Sequence, residues 1–254
     1  MSKKNNHNQW GSKEDKYGQM FLKRAVGKLN EMESSKALAK IIHSHIKNKS
    51  KILDAGCGVG HYLRSILNLS NKNFQYYGID LTQNYINLAK KVKWKVKTNF
   101  KKMNVEKLSF KKNSFDISIC SNVLLHLENP NLALKKLVIA TKKFIVIRTL
   151  ISEKDYITKE VINNKNKNNF TNSINPNDFV YYNSFSKKTI KFWIKSAKKN
   201  CSIKYIKDQD FVANKIKQDS IYRQKKTSNT KILMNKQFNG PLMLNWYFVL
   251  IRIN

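Results

Sequence analysis

Three glycines, Gly56, Gly58 and Gly60, alternate with other residues between the apolar run "KILDA" and the helix-like run "HYLRSILNL". Glycine lacks a Cβ atom, so this turn can adopt positive φ angles and bring its backbone close to a ligand. A dinucleotide-binding turn has the spacing G-x-G-x-x-G, and a P-loop ends in Gly-Lys-Ser/Thr. This chain has neither. The sequence therefore predicts a ligand-binding turn of another kind between a strand and a helix.

Strand-like and helix-like segments alternate around this turn. Strands are predicted in the runs "KILDAG", "FQYYGIDL", "KWKVKTNF", "FDISICSN" and "KFIVIRTL". Helical periodicity appears between them in "HYLRSILNL", "TQNYINLAKKV" and "NPNLALKKLVIAT". Strands that alternate with helices form a parallel sheet with helices on both faces. We therefore predict an α/β fold with a doubly wound sheet, in which the carboxyl ends of the strands form the ligand site.

The rest of the chain suggests one domain with additions. The polar residues 1–16 are predicted to be a disordered tail, and residues 17–254 a single domain. Within it we expect an N-terminal helical cap at 17–48, a cofactor-binding half at 49–150, a lid insertion at 151–185 and a C-terminal half at 186–254. A second polar stretch, 209–240, is predicted to be a further insertion above the sheet.

The composition carries a formal charge of +33, with 44 Lys, 5 Arg and 32 Asn. Such a charge can indicate a polyanionic partner, but Lys, Asn and Ile share A/T-rich codons, so mutational drift gives the same composition. The apolar runs are too short to span a membrane. The basic N-terminus has no apolar core behind it, so we expect that it is not a secretion signal. Three cysteines without C-x-x-C spacing predict a cytoplasmic protein without a disulfide framework or metal site.

The run "ILDAGCGVG" resembles the first motif of the class I S-adenosylmethionine-dependent methyltransferases. Asp80 closes the next strand, as the family's ribose-binding acidic residue does. "MNVEKLSF" is similar to the stretch that brackets the adenine, with Asn104 where the family usually has Asp, and "NSFDISICSNVLLHLENP" is similar to the fourth strand and its loop. The resemblance implies a Rossmann-like fold with a seven-stranded sheet and S-adenosylmethionine as cofactor. It implies cofactor-binding roles for Asp54, Ala55, Gly56, Gly58, Gly60, Asp80, Leu81, Asn104, Val105 and Ser121.

The methyl acceptor is the part that the motifs define least. His126, just after the fourth strand, is a candidate general base for an alcohol acceptor; the alternative is that it packs or caps its loop. The same resemblance implies that Ser121 and Asn122 lie beside the methyl donor. Arg148 and Arg24 are candidates to bind an anionic acceptor, because Arg is rare in this chain and its planar fork pairs with carboxylate or phosphate. A structural salt bridge or a surface position is the alternative for both.

Three functions remain open from the sequence. The absence of an Asn/Asp-Pro-Pro-aromatic motif, of a Cys beside a Pro and of a recognisable RNA-binding module favours a small-molecule acceptor, with an anionic acceptor as one expectation. RNA methylation that uses the basic surface is the alternative. A non-enzymatic cofactor-binding regulator is the third interpretation.

Overall fold

The computed structural model describes residues 16–161, 179–198, 200–208, 230–233, 236–239 and 242–254. The strands are β1 (Lys51–Ala55), β2 (Gln75–Asp80), β3 (Lys97–Lys102), β4 (Phe115–Ser121), β5 (Thr141–Ser152), β6 (Lys159–Val161), β7 (Phe179–Tyr181), β8 (Phe185–Ser186), β9 (Cys201–Lys207), β10 (Thr230–Leu233), β11 (Lys236–Asn239), β12 (Leu242–Met243) and β13 (Trp246–Ile253). The helices are α1 (Lys16–Ala25), α2 (Glu33–His43), α3 (His61–Leu69), α4 (Gln83–Lys91), α5 (Pro130–Ala140) and α6 (Lys187–Ala197).

The central sheet has the strand order β3-β2-β1-β4-β5-β13-β9, and the short β8 pairs with the end of β5. Strands β1 to β5 are mutually parallel, whereas β13 runs antiparallel to both of its neighbours. The chain order reverses between β1 and β4, which is where ligands bind in a doubly wound sheet. The predicted α/β, doubly wound fold is confirmed. The sheet differs from the expectation in its antiparallel β13 and in the additional β8.

Each face of the sheet has its own apolar core. One core combines α1 to α4 with residues such as Ile52, Tyr76 and Phe248. The other combines α5 and α6 with residues such as Leu53 and Ile147. Neighbouring residues of one strand, Ile52 and Leu53, thus belong to opposite cores, as the alternation of side chains along a strand requires. These two layers hold the carboxyl ends of β1, β2 and β4 in fixed positions.

Several sequence predictions fall partly outside the described residues. The predicted tail lies outside them except for Lys16, which begins α1. Of the predicted insertion at 151–185, the structure describes both ends, including the pairing of β6 with β7. Of the polar stretch 209–240, it describes 230–233 and 236–239. Within the described part of the chain, no helix combines the length and apolarity that crossing a membrane requires.

Candidate active site

All three glycines of the turn after β1 have left-handed backbones, with φ of 86° at Gly56, 54° at Gly58 and 83° at Gly60. A Cβ atom at Gly56 would lie 2.2 Å from Cγ2 of Val123, and one at Gly60 would lie 2.9 Å from Cζ2 of Trp94. The turn therefore needs glycine for its own conformation and packing. Close approach of a ligand, the reason expected from the sequence, applies best to Gly58, where an added Cβ would lie no closer than 3.4 Å to a neighbouring atom.

Asp80, at the end of β2, fixes this turn. Its Oδ2 accepts a hydrogen bond from the backbone N–H of Gly58 at 2.9 Å, and its Oδ1 accepts one from Thr82 at 2.8 Å. Burial raises the pKa of Asp80 above the usual range of an aspartate, although these N–H groups act in the opposite direction. Each carboxylate oxygen keeps a lone pair for a further donor, so the geometry fits the two hydroxyls of a ribose.

A pocket opens above the carboxyl ends of β1, β2 and β4. It is lined by Phe21, Gly56, Gly58, His61, Tyr62, Asp80, Leu81, Thr82, Tyr85, Met103, Asn104, Val105, Ser121, Asn122, Val123, His126 and Leu127. The structure thus brings together nine of the residues proposed from the sequence: Gly56, Gly58, Asp80, Leu81, Asn104, Val105, Ser121, Asn122 and His126. Five others, Asp54, Ala55, Gly60, Arg24 and Arg148, do not line it.

Asp54 lies below the pocket, inside the sheet. Its Oδ2 accepts a hydrogen bond from the hydroxyl of Tyr76 at 2.5 Å, and the residue is 2% exposed. Burial raises the pKa of Asp54 to about 7; the hydrogen bond from Tyr76 lowers it, and the charge of Asp80 raises it further. These contacts favour a structural role beneath the glycine turn over the expected contact with the cofactor.

The raised pKa of Asp54 predicts a pH-dependent stability. Unfolding would return the carboxyl to a pKa near 3.9 and release its proton, so the free energy of unfolding should fall as the pH rises from about 4 to about 7. We expect Asp54→Asn to remove this decrease, because an amide does not titrate in this pH range. The amide oxygen can still accept the hydrogen bond from Tyr76. Urea titrations at several pH values measure the effect.

Asp116 provides a control of opposite sign. Burial raises the pKa of Asp116, but the backbone N–H of Lys51 and the ammonium of Lys143, both at 3.0 Å, bring it below the usual range. Asp116→Asn should therefore lose stability mainly above the unfolded pKa of the carboxyl. If Asp54→Asn and the unsubstituted protein show parallel pH profiles, Asp54 does not hold its proton in the folded state.

Helix α1 covers the pocket through Phe21. The Phe21 ring stacks on His61 at a centroid distance of 4.4 Å and meets Tyr85 edge-on at 5.9 Å. Arg24, the residue proposed from this segment, is instead buried, and its guanidinium donates to the backbone oxygen of Asn30. Of these two residues of α1, Phe21 lines the pocket and Arg24 does not. Phe21 and Tyr85 give no signal in the sequence beyond that of ordinary core aromatics.

His61 contributes a polar atom that protein contacts leave unsatisfied. It is 8% exposed, lines the pocket, and its Nδ1 has no hydrogen-bond partner among the described residues. Burial and the charge of Arg24 lower the pKa of His61 to about 3, so the ring is neutral at physiological pH. A buried polar atom without a partner is costly, and a ligand that hydrogen-bonds Nδ1 would remove that cost.

On the side of Asp80, the pocket has an apolar wall with one polar rim. Val105 is buried, and Oδ1 of Asn104 accepts from the backbone N–H of Glu106 at 2.8 Å. That bond begins the 3₁₀ turn Val105–Lys107 and leaves the amide of Asn104 beside the pocket. Together with Asp80, His61 and the glycine turn, this wall fits S-adenosylmethionine, whose adenine, ribose and amino acid need an apolar slot, a carboxylate and polar contacts.

Ser121 holds a tyrosine at the pocket wall. The Ser121 hydroxyl donates to the Tyr62 hydroxyl at 2.9 Å, and the latter lies 3.0 Å from Oγ of Ser34. All three residues are buried. The family resemblance implies a place for Ser121 beside the methyl donor but does not single out Tyr62. Tyr62 lies in the first turn of α3 and has the helical spacing of a core residue.

His126 ends the 3₁₀ turn Leu124–His126 and contacts Tyr181 and Tyr182. Its Nδ1 lies 2.7 Å from the carbonyl oxygen of Tyr181, and its ring meets Tyr182 edge-on at 5.0 Å. A carbonyl oxygen can only accept, so Nδ1 carries the proton and the lone pair of the neutral ring is on Nε2. The tautomer of His126 thus suits a proton acceptor.

Arg148 faces the protein interior instead of the open pocket. Its Nε and Nη2 each lie 2.7 Å from Oδ2 of Asp208, its Nη1 donates to Oδ1 of Asn122 at 2.5 Å, and its guanidinium lies 4.0 Å from the centre of the Trp246 ring. The side chains of Arg148 and Asp208 are 8% and 3% exposed. These intramolecular partners replace the expected direct contact with an anionic acceptor.

Residues 46–196 match the family model described as "Methyltransferase domain". No curated protein matches the sequence. Many solved structures share its fold.

Three of these structures are methyltransferases with low sequence identity to this chain. An S-adenosylmethionine-dependent methyltransferase of Methanosarcina mazei has 16% identity and a TM-score of 0.51 over 84% of this chain and 96% of that one. Phosphoethanolamine N-methyltransferase 2 of Haemonchus contortus, in complex with S-adenosyl-L-methionine, has 14% identity and a TM-score of 0.61 over 98% and 60%. A Haloferax volcanii putative methyltransferase in complex with the Trm112 activator has 12% identity and a TM-score of 0.56 over 95% and 99%. At these identities the likeness concerns the fold.

Proposed function

Because this chain belongs to the class I S-adenosylmethionine-dependent methyltransferases, we propose that it methylates a small-molecule acceptor. One observation supports a small acceptor. The described end of the 151–185 insertion packs on the loop after β4: Asn183 donates from its backbone and its side chain to the carbonyl oxygens of Leu125 and Leu127, at 2.8 and 2.9 Å. With Phe21 covering the opposite side, the pocket is suited to a small ligand.

The cofactor contacts follow from the site. When bound, S-adenosylmethionine supplies a methyl group on a sulfonium to a nucleophile placed in line with the sulfur. We propose that Asp80 accepts from the ribose hydroxyls, that Val105 and Asn104 bracket the adenine, and that Gly58 and His61 contact the amino acid end. In this proposal Asp54, Ala55 and Gly60 support the turn from beneath.

His126 is the proposed general base. For a hydroxyl acceptor, Nε2 of His126 takes the proton as the oxygen–methyl bond forms, and later releases it to water. The bond to Tyr181 holds the imidazole in the required tautomer. An amine acceptor with its lone pair exposed would not need this step, so the effect of His126 separates two classes of acceptor.

We expect His126→Asn to lower kcat for a hydroxyl acceptor by about 10²–10⁴-fold, the usual contribution of a general base. The shorter amide can still donate to Tyr181 but lacks the Nε2 lone pair. The acceptor comes from a screen with labelled S-adenosylmethionine, and exposed His43→Asn is the matched control. An unchanged kcat would mean that His126 only packs the loop.

Cofactor binding is tested independently of any acceptor. S-adenosylhomocysteine at a hundredfold excess over its Kd should raise the free energy of unfolding by about 2.7 kcal/mol, while NAD should not. Equal shifts with both ligands, or none with either, would refute the proposed function.

RNA methylation is the second candidate, and one observation favours it. Ten lysines and one glutamate occupy residues 90–112, and all ten lysines are exposed along the end of α4, the edge strand β3 and the turn that follows. This cluster is denser than the even spread expected from drift. A steep salt dependence of tRNA binding that is lost in Lys97→Glu/Lys101→Glu, but kept in the control Lys40→Glu/Lys47→Glu, would favour RNA.

A further inference from the structure

The pocket wall at the end of β4 contains a residue with a constrained backbone. Asn122 has a φ of 59°, a conformation that asparagine adopts more readily than most residues. Its backbone N–H donates to the carbonyl oxygen of Arg148 at 2.9 Å. Its side chain accepts from the guanidinium of the same residue. Both the main chain and the side chain of Asn122 are therefore tied to Arg148.

The contact with Arg148 also determines which end of the Asn122 amide faces the pocket. A guanidinium has only donors, so the group 2.5 Å from Nη1 of Arg148 is Oδ1 of Asn122. The Nδ2 group, with two donors, lies on the other branch of the amide. Asp208 and Trp246 hold the guanidinium itself, so Arg148 cannot turn without breaking a buried ion pair.

We propose that Arg148 is a positioning residue that directs the Nδ2–H of Asn122 into the pocket, where it binds an oxygen of the methyl acceptor. The inference rests on the proposed function and narrows its substrate class: the acceptor carries a carboxylate, carbonyl or oxyanion oxygen beside the methylated atom. Arg148 thus acts on the acceptor through Asn122, and the anionic preference expected from the sequence arises from an amide donor.

The test measures binding of small probes in the presence of saturating S-adenosylhomocysteine. Benzoate and acetophenone offer an oxygen to Asn122, whereas benzylamine offers only donors. We expect the unsubstituted protein to bind benzoate about tenfold more tightly than benzylamine by calorimetry, the size of one hydrogen bond to a charged group. Asn122→Gly, which tolerates the left-handed backbone, should lose this preference and weaken acetophenone binding as well.

Two further variants separate positioning from folding. Asn113→Gly is the matched control, because exposed Asn113 has a φ of 57° and lies outside the pocket lining. The double variant Arg148→Met/Asp208→Leu removes both partners of the buried ion pair, so no unpaired charge remains there. It should lose the preference for benzoate although Asn122 is intact. A purely structural Arg148 would leave the preference unchanged in that variant.

The outcomes distinguish this inference from the proposed function. Failure to bind S-adenosylhomocysteine would overturn both. The inference alone is overturned if the unsubstituted protein shows no preference, or if Asn122→Gly or the double variant retains it. It is also overturned if Asn122→Gly weakens S-adenosylhomocysteine by the same factor, because Asn122 would then belong to the cofactor site.

Discussion

Asp208→Ala should lower the free energy of unfolding by about 3–5 kcal/mol, the cost of leaving one partner of a buried ion pair alone. Arg148 would keep its charge beneath Trp246, in a site where its side chain is 8% exposed and Asp208 provides two of its contacts at 2.7 Å. Urea denaturation of the variant and of the unsubstituted protein measures the loss.

The double variant Arg148→Met/Asp208→Leu identifies the cause of that loss. Replacing both partners by apolar residues of similar size is often neutral or stabilising, so most of the stability should return. If the double variant is as unstable as Asp208→Ala, the cost arises from packing around β9 and β13 and not from an unpaired charge. Asp116→Ala is the less buried counterpart, and its ion pair with Lys143 should contribute about 1 kcal/mol or less.

The pocket separates what local sequence can predict from what it cannot. Gly58 follows β1, and Asp80 and Ser121 end β2 and β4. Because the carboxyl ends of parallel strands meet at one edge of the sheet, short motifs predicted that these residues lie together. Phe21 and Tyr85 come from helices, where an aromatic residue at core spacing looks the same whether it faces a core or a ligand. The structure adds them because α1 packs across the top of α3 and α4.

Arg148 shows the same limit for a charged residue. The rarity of Arg and its predicted place at the carboxyl end of the fifth strand singled out Arg148. In the structure β5 continues to Ser152, and Arg148 pairs with Ser121, the last residue of β4. Its partner Asp208 is 60 positions later, and nothing local in the sequence pairs the two. The contact to Asn122 depends in turn on the antiparallel β13, which brings Trp246 and the end of β9 beside β5.

Asp80→Ala should weaken S-adenosylhomocysteine binding by about 1.5–3 kcal/mol or more. That range is typical of hydrogen bonds to a charged group. The structure adds a second loss, because the backbone N–H groups of Gly58 and Thr82 would also lose their acceptor. The affinity of Asp80→Asn, which keeps one acceptor oxygen, should lie between those of Asp80→Ala and the unsubstituted protein. Calorimetry of the three proteins ranks these affinities.

The pH dependence of the same affinity isolates the carboxylate. Burial raises the pKa of Asp80 in the folded protein, and a protonated carboxyl has fewer lone pairs for the ribose hydroxyls. Affinity for S-adenosylhomocysteine should therefore decline on acidification, and the decline should begin at a pH above the usual aspartate range. Asp80→Asn, which cannot titrate, should show no such decline. If it follows the same pH profile as the unsubstituted protein, another group controls binding, and the ribose contact assigned to Asp80 is wrong.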